Sequence, residues 1–102
     1  MTLPVRTTPE AERHIREINR WWRANRSSSP DLFHDELAAW LQIIGELPEI
    51  GRPYSLSPVP GTRGVLLRGS RYHVYYVIRM EDIAVLAVWH AQRGTGPQLP
   101  GA

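Results

Sequence analysis

The spacing of apolar residues changes once along the chain, and this change constrains the fold more than any other feature of the sequence. Up to residue 50, apolar side chains recur every three or four positions, as they do on one face of a helix. After residue 61 they form short runs rich in Tyr, Val and Ile, which are typical of strands. The Pro-rich segment 51–61 between them has no periodicity. We therefore predict two helices followed by a small sheet, in a single domain that spans residues 1–102.

Two cap signals define the starts of the predicted helices. Thr8-Pro9 combines an N-cap residue with proline at the first helical position, and Ser29-Pro30 repeats that arrangement before the second helix. The helical stripes predict these buried residues: Ile15, Ile18 and Trp22 in the first helix, and Leu37, Trp40, Leu41 and Ile44 in the second. Because the connection between the helices is short and polar, they should form an antiparallel hairpin.

Strand patterns begin and end the chain. Residues 3–7 alternate weakly and contain Pro4, which cannot donate to a ladder, so they predict a short edge strand. Gly69-Ser70 suits a two-residue turn between the first two of the later strands. Those later strands are predicted at residues 65–67, 72–80 and 83–90. The predicted fold class is α+β in the order β-α-α-β-β-β, with the helical hairpin packed on one face of a small, mainly antiparallel sheet of three or four strands.

Both faces of the last two predicted strands are apolar. Alternation puts Tyr75 and Val77 on the face opposite Val74 and Tyr76. Strict alternation in the final strand puts Ile83, Val85, Ala87 and Trp89 on one face, and Ala84, Leu86, Val88 and His90 on the other. A helical hairpin can cover only one face. The second face either contacts a partner or lies beneath segment 51–61, and large apolar surfaces in water favour the partner.

Composition excludes several classes of protein. The chain has no cysteine, which rules out disulfides and thiolate metal sites. Its longest apolar run, residues 83–89, is too short to span a bilayer, and the first residues lack the layout of a signal peptide. We expect a soluble cytoplasmic protein that does not associate with membranes, with a flexible tail at residues 94–102.

Charge is distributed unevenly, and every cation is Arg. Residues 1–50 carry six Arg against eight acids, a net charge of −2, whereas residues 51–102 carry six Arg against two acids, a net charge of +4. Arg suits planar, bidentate and stacking contacts with carboxylates, phosphates and protein surfaces. The basic second half therefore calls for a partner or a ligand, unless a general replacement of Lys by Arg accounts for it.

The histidines do not predict a metal site. The chain has four of them, at His14, His34, His73 and His90. No pair has the spacing of zinc ligands on a helix, and cysteine is absent. We predict no metal and no cofactor.

Four segments resemble the RelE/ParE toxin superfamily, and its ParE-like branch in particular: residues 8–12, 47–53, 69–76 and 86–93. They occur in the order found in that superfamily and extend over most of the chain. The Tyr-rich strand followed by Ala-Val-Trp-His-Ala is the most specific part. The resemblance implies the toxin of a type II toxin–antitoxin system, held inactive by a cognate, ParD-like antitoxin. It implies one of two targets: DNA gyrase, which ParE members poison, or mRNA on the ribosome, which RelE members cut.

The residues on the strands favour gyrase over mRNA. RelE-type enzymes resemble one another in Lys-rich strands and a C-terminal Tyr, but this chain has no Lys and no Tyr after Tyr76. Arg stays protonated and is a poor base. We therefore predict no catalytic residue. The predicted target-binding residues are Arg68, Arg71, Arg79 and Arg93.

Two other functions remain open. The alternative to gyrase inhibition is a RelE-like, ribosome-dependent mRNA endonuclease that uses His90 as its acid–base group. A further alternative is a non-toxic protein- or nucleic-acid-binding module. The acidic second helix interrupts any continuous basic surface, so direct sequence-specific binding of nucleic acid is not expected.

The adjacent tryptophans suggest an antitoxin contact. On a helix Trp21 and Trp22 project about 100° apart, so only one of them can occupy the centre of the buried stripe. Trp22 extends that stripe. Trp21 either completes a wide buried face or anchors the antitoxin, since tryptophan is a frequent interface hot spot. The predicted antitoxin contacts are Trp21, Tyr75 and Val77.

Overall fold

A computed structural model describes residues 2–91 of the chain. Its elements are β1 (Val5–Thr7), α1 (Pro9–Asn25), α2 (Leu32–Glu46), a 3-10 turn (Pro48–Ile50), β2 (Arg52–Pro53), β3 (Arg63–Leu67), β4 (Tyr72–Ile78) and β5 (Ile83–His90). The predicted tail 94–102 and the candidate Arg93 lie outside the described residues.

The strands form one five-stranded sheet in the order β1-β5-β4-β3-β2. β1 runs parallel to β5 at one edge, and the other neighbours are antiparallel. The α+β class and the helical hairpin on a mainly antiparallel sheet are confirmed. The sheet has one strand more than predicted, because the two residues of β2 pair with β3 immediately after the 3-10 turn. Two-residue strands of this kind leave no pattern in a sequence.

Helix α1 begins as predicted. The side chain of Thr8 accepts a hydrogen bond from the backbone N–H of Ala11, and proline occupies the first helical turn. Trp22 is buried as predicted, but Ile15 and Ile18 are only partly buried. His14 is buried instead, because its Nδ1 accepts the backbone N–H of Val88 at 3.2 Å.

Helix α2 buries apolar side chains along its length. Phe33, Leu37 and Ile44 are buried against the sheet. Trp40 and Leu41 pack against the same core but remain partly exposed, so their prediction is only partly met. The helix begins at Leu32 without a side-chain cap.

A β-bulge in β5 changes the predicted faces of that strand. Tyr75 pairs with Ala87 while Tyr76 pairs with Val85, so Leu86 is the extra residue. The predicted strict alternation is therefore wrong beyond Val85. Ala87 packs with Leu86 on the second face, and Val88 joins the core beneath the helices.

The segment between β2 and β3 covers the centre of the second face. Tyr54 and Val59 pack there over Tyr75, Leu86 and Ala87, all of which are buried. The preferred expectation of an uncovered apolar face is therefore wrong at this point, and the segment fills the role given to the other alternative. Tyr75, a predicted antitoxin contact, is therefore buried by the chain itself, and Val77, the other predicted contact on this face, packs against the same cluster.

The 3-10 turn before β2 is hydrogen-bonded to Tyr76 of β4. The hydroxyl of Tyr76 donates to the carbonyl oxygen of Pro48 at 2.6 Å and accepts the N–H of Gly51 at 2.9 Å. A Cβ at Gly51 would lie 2.6 Å from that hydroxyl, so only glycine fits. These contacts explain the local geometry of residues 48–51.

No helix in the part of the chain that the structure describes is long and apolar enough to cross a membrane.

Candidate functional site

A groove of about 660 Å³ opens where the helical layer and the sheet separate at one end of the molecule. Its walls are the C-terminal half of α1, residues 69–71 of the β3–β4 loop (residues 68–71) and the end of β5. Three candidates that are far apart in sequence meet here: Trp21, Arg71 and His90. We refer to this feature as the groove.

The helical wall presents an aromatic and cationic corner. Trp22 is 7% exposed, whereas Trp21 is 44% exposed and contacts it edge-on with ring centroids 5.9 Å apart. The guanidinium of Arg26 lies 5.0 Å from the centroid of Trp21 and 5.8 Å from that of Trp22, within cation–π range. Trp21 therefore does not fill a wide buried face. Its ring remains available to a partner.

The opposite wall is the β3–β4 loop, which carries Arg71. The loop has four residues rather than the predicted two, and its left-handed residue is Arg71, with φ of 69°, rather than Gly69. The N–H of Arg71 donates to the carbonyl of Leu67 at 2.7 Å, and its own carbonyl accepts the N–H of Ala91 at 2.7 Å. These bonds join the loop to the end of β3 and to the residue that follows β5.

The loop is also bound by α2. Glu36 accepts the N–H of Gly69 at 2.6 Å and the N–H of Ser70 at 2.8 Å, one with each carboxylate oxygen. The loop conformation therefore depends on a residue more than 30 positions away.

The floor of the groove contains the end of β5. The ring of His90 contacts Tyr72 edge-on at 5.0 Å between centroids. Nearby, burial lowers the pKa of His14, with Arg13 adding to the effect. Because Nδ1 of His14 accepts the N–H of Val88, the neutral imidazole carries its proton on Nε2. His90 and Arg71 both line the groove and supply it with an imidazole and a cation. These are groups that the ribonuclease alternative requires.

Two buried polar atoms belong to residues of this wall. Within residues 2–91, Trp22 Nε1 and Ser70 Oγ are buried without a hydrogen-bond partner. Buried polar atoms are nearly always paired, so the protein itself does not fully satisfy this part of the fold.

Two other predicted target-binding arginines, Arg68 and Arg79, do not line the groove. Arg68 is exposed in the same loop as Arg71. Arg79 lies after the far end of β4, roughly 25 Å along the strand from Arg71. Its guanidinium forms two bonds to the Asp82 carboxylate, at 2.6 and 2.7 Å, and this contact holds the pKa of Asp82 below its usual range. The three predicted arginines in the described chain, Arg68, Arg71 and Arg79, therefore do not form one surface.

The predicted antitoxin contacts also separate. Tyr75 is only 6% exposed beneath Tyr54, with ring centroids 4.5 Å apart, and burial raises the pKa of its hydroxyl to about 12. Val77 is half-buried on the same second face. Trp21 alone among the three lies in the groove.

Sequence reasoning did not identify Arg26, Glu17 or Glu36 as site residues. The spacing of Trp22 and Arg26, four positions apart near the end of a helix, was a usable signal for their contact. No local pattern connects Glu36 with the β3–β4 loop. Among residues 2–91, no three His, Cys, Asp or Glu side chains are grouped so that they could hold a metal ion.

Comparisons with known proteins give one family and two solved structures of similar fold. The family model described as "ParE toxin of type II toxin-antitoxin system, parDE" matches residues 5–94. The fold is similar to a chain of the chromosomal ParDE toxin–antitoxin system from P. aeruginosa, with a TM-score of 0.74 and 14% identity, over 89% of this chain and 98% of that one. It is also similar to a mutant of E. coli toxin RelE in the free state, with a TM-score of 0.58 and 22% identity, over 90% of this chain and 86% of that one. A comparison with curated proteins gave no match.

Proposed function

Because the chain belongs to the ParE toxin family of the type II toxin–antitoxin system parDE, we propose that it arrests bacterial growth by inhibiting DNA gyrase and that a ParD-like antitoxin neutralises it. The family makes it the toxin of such a pair, and so implies an antitoxin partner. Gyrase and the cytoplasm, where gyrase acts on DNA, are the parts that we propose. The groove is the surface that we propose for both contacts, with Trp21 contacting the antitoxin and Arg71 contacting the target.

The observation that carries the proposal is the meeting of Trp21, Arg26 and Arg71 in the groove. Tryptophan and arginine are among the side chains enriched at interface hot spots. An exposed aromatic ring with a cation on its face offers a protein partner both apolar area and a site for a carboxylate. Arg68, exposed beside Arg71 in the same loop, extends this surface for a target.

A protein target also suits the mixed charge of the groove. The wall combines Glu17, which pairs with Arg13 at 3.4 Å, with Arg26 and Arg71, so it is not a uniformly basic surface of the kind that binds nucleic acid. Arg71 is always charged and cannot act as a base. On this proposal no side chain performs acid–base chemistry, and inhibition follows from binding.

The second candidate function is a RelE-like mRNA endonuclease. It is favoured by one observation, the position of His90 in the same groove as Arg71. There His90 would exchange the proton and Arg71 would stabilise charge on the phosphate. The edge-on contact of His90 with Tyr72 gives the imidazole a structural role as well, which is the role we assign to it.

Expression of the chain alone tests whether it is a toxin that an antitoxin neutralises. We expect growth arrest, and normal growth when the antitoxin from the neighbouring reading frame is expressed with it. Trp21→Ala should weaken the purified toxin–antitoxin complex by about tenfold or more, as expected for a hot-spot residue. Leu56→Ala, at an exposed position of the β2–β3 segment, is the matched control and should leave the affinity unchanged.

The target is tested with purified components. The chain should cause gyrase-dependent DNA breaks or loss of supercoiling, and should leave mRNA intact on translating ribosomes. Cleaved mRNA together with unaffected gyrase would reject gyrase as the target and support the endonuclease.

A further inference from the structure

A single carboxylate from α2 holds the β3–β4 loop. Glu36 receives consecutive backbone N–H groups from Gly69 and Ser70, at 2.6 and 2.8 Å. Hydrogen bonds from N–H groups to a carboxylate are stronger than those between neutral groups. Successive N–H groups that converge on one anion form a concave backbone site. In this chain the anion is the carboxylate of Glu36.

The next residue in the loop is Arg71, whose backbone is left-handed at φ of 69°. A residue other than glycine keeps this conformation only when its surroundings hold it. The surroundings are the N–H of Arg71 bonded to Leu67, the N–H of Ala91 bonded to Arg71, and the two bonds that fix the preceding residues to Glu36. Through Ala91, the loop also joins the end of β5 at the groove floor.

We propose that Glu36 is a positioning residue of the groove: by holding the β3–β4 loop, its carboxylate sets Arg71 in the wall where Arg71 contacts the target. Glu36 itself lies outside the groove wall, so it acts through the loop. The proposal rests on the proposed function, because it takes Arg71 as a target contact.

Gly69 gives a second way to break the same contact. A Cβ at this position would lie 2.9 Å from Glu36 Oε2 and 3.2 Å from its Cδ. The carboxylate is the far end of a flexible side chain, so it can move away from the added Cβ, but it then gives up its hydrogen bonds to Gly69 and Ser70. Gly69 does not have a positive φ, so alanine fits its backbone. Gly69→Ala should therefore release Glu36 from the other side of the contact.

The first experiment measures the contact without reference to any target. Amide hydrogen exchange of the folded chain is compared for Glu36→Gln, Gly69→Ala and the control Glu46→Gln, an exposed residue at the end of the same helix. We expect exchange of the Ser70 amide to quicken by about tenfold or more in both test variants. The Ala91 amide should also lose protection, and Glu46→Gln should match the wild type. Unchanged Ser70 exchange in Glu36→Gln would overturn the proposal.

The second experiment asks whether Glu36 acts through Arg71. Gyrase inhibition is measured for Glu36→Gln, Arg71→Gln and the double variant, at a temperature well below the melting transition of each. We expect each single change to weaken inhibition by about tenfold, and the double variant to be no weaker than Arg71→Gln alone. A residue with only a structural role would lower the melting temperature and leave the two effects additive.

The outcomes separate the two proposals. Additive losses, or full inhibition by Glu36→Gln, would overturn the positioning role even if the chain inhibits gyrase. A wild-type chain without effect on gyrase would reject the proposed target. In that case the Arg71-dependent role fails with it, while the exchange data still decide whether Glu36 holds the loop.

Discussion

The two faces of the sheet are covered in different ways, and the difference identifies where the molecule is open. The helices cover one face through a core that includes Phe33, Ile44 and Tyr76. The β2–β3 segment covers the other through Tyr54 and Val59. On the helical side the cover ends before the strands do, and the groove opens there. On the other side the segment closes over the middle of the sheet.

An apolar face that a sequence predicts is not necessarily a binding face. The second face has the apolar character that predicts a partner surface, yet its own chain buries the centre of it. The groove has a mixed character, with Trp21, Arg26 and Arg71 beside Glu17, and is the more open region. Variants beneath either cover should therefore change stability, whereas variants in the groove should change binding.

The largest effect on stability is expected beneath the helices. Phe33 is fully buried and its ring contacts Tyr72 edge-on at 5.2 Å. Phe33→Ala should lower the free energy of unfolding by about 3–5 kcal/mol, because it leaves a cavity in the main core. Denaturant unfolding measures the change. A loss below about 1 kcal/mol would mean that α2 does not pack on the sheet as described.

A smaller effect is expected on the second face. Tyr54 is half-buried and covers Tyr75. Tyr54→Ala should lower the free energy of unfolding by about 1–2 kcal/mol, since only part of the ring area is withdrawn from water. Leu56→Ala, at an exposed position two residues further on, should stay within about 0.5 kcal/mol of the wild type. Equal effects of the two changes would show that the segment does not cover the sheet.

The smallest effect is a pH dependence that differs between the faces. Burial lowers the folded-state pKa of His14, on the helical side, and of His73, on the other side, below the ordinary 6.5. Arg71 adds to the shift at His73, and Arg13 adds to it at His14, where Glu10 and Glu17 oppose it. Just below pH 6.5 the unfolded chain binds more protons than the folded chain, so stability falls as the pH decreases.

His14 should account for more of this loss, because its protonation also removes the acceptor of the Val88 N–H bond. Thermal unfolding between pH 7.5 and 5 measures it. We expect His14→Gln, whose amide oxygen can accept the same bond, to flatten the pH dependence more than His73→Gln does. The reverse order would contradict the burial of His14 beneath α1.

Local signals in the sequence were sufficient for most of the fold. The cap at Thr8 and the strand pattern of residues 83–90 depend on neighbouring residues, and the structure agrees with both. The bulge at Leu86 lies within a continuous apolar run, where a shift of register changes no residue type. Its position depends on pairing with β4, which a single sequence does not encode locally.

The site was less predictable because it is built from long-range contacts. Trp21, Arg71 and His90 were selected separately, and nothing in their spacing shows that they share a groove. Arg79 is the same residue type as Arg71 and also borders β4, but it lies at the opposite end of the strand, where it pairs with Asp82. Residue type therefore identified candidates, and only the topology could group them.

Gyrase inhibition by charge-reversal variants tests most directly whether the groove is the functional surface. The measurement is the concentration of purified chain needed to produce gyrase-dependent DNA breaks, compared for Arg71→Glu in the groove and Arg79→Glu in the β4–β5 turn. Arg79→Glu removes a pair in which the Asp82 side chain is only 14% exposed, while Arg6 remains 3.4 Å from that carboxylate, so thermal unfolding first checks that both variants fold. We predict that Arg71→Glu raises this concentration by about tenfold or more, and that Arg79→Glu raises it by less than about twofold. An equal or larger effect of Arg79→Glu would contradict the assignment of function to the groove.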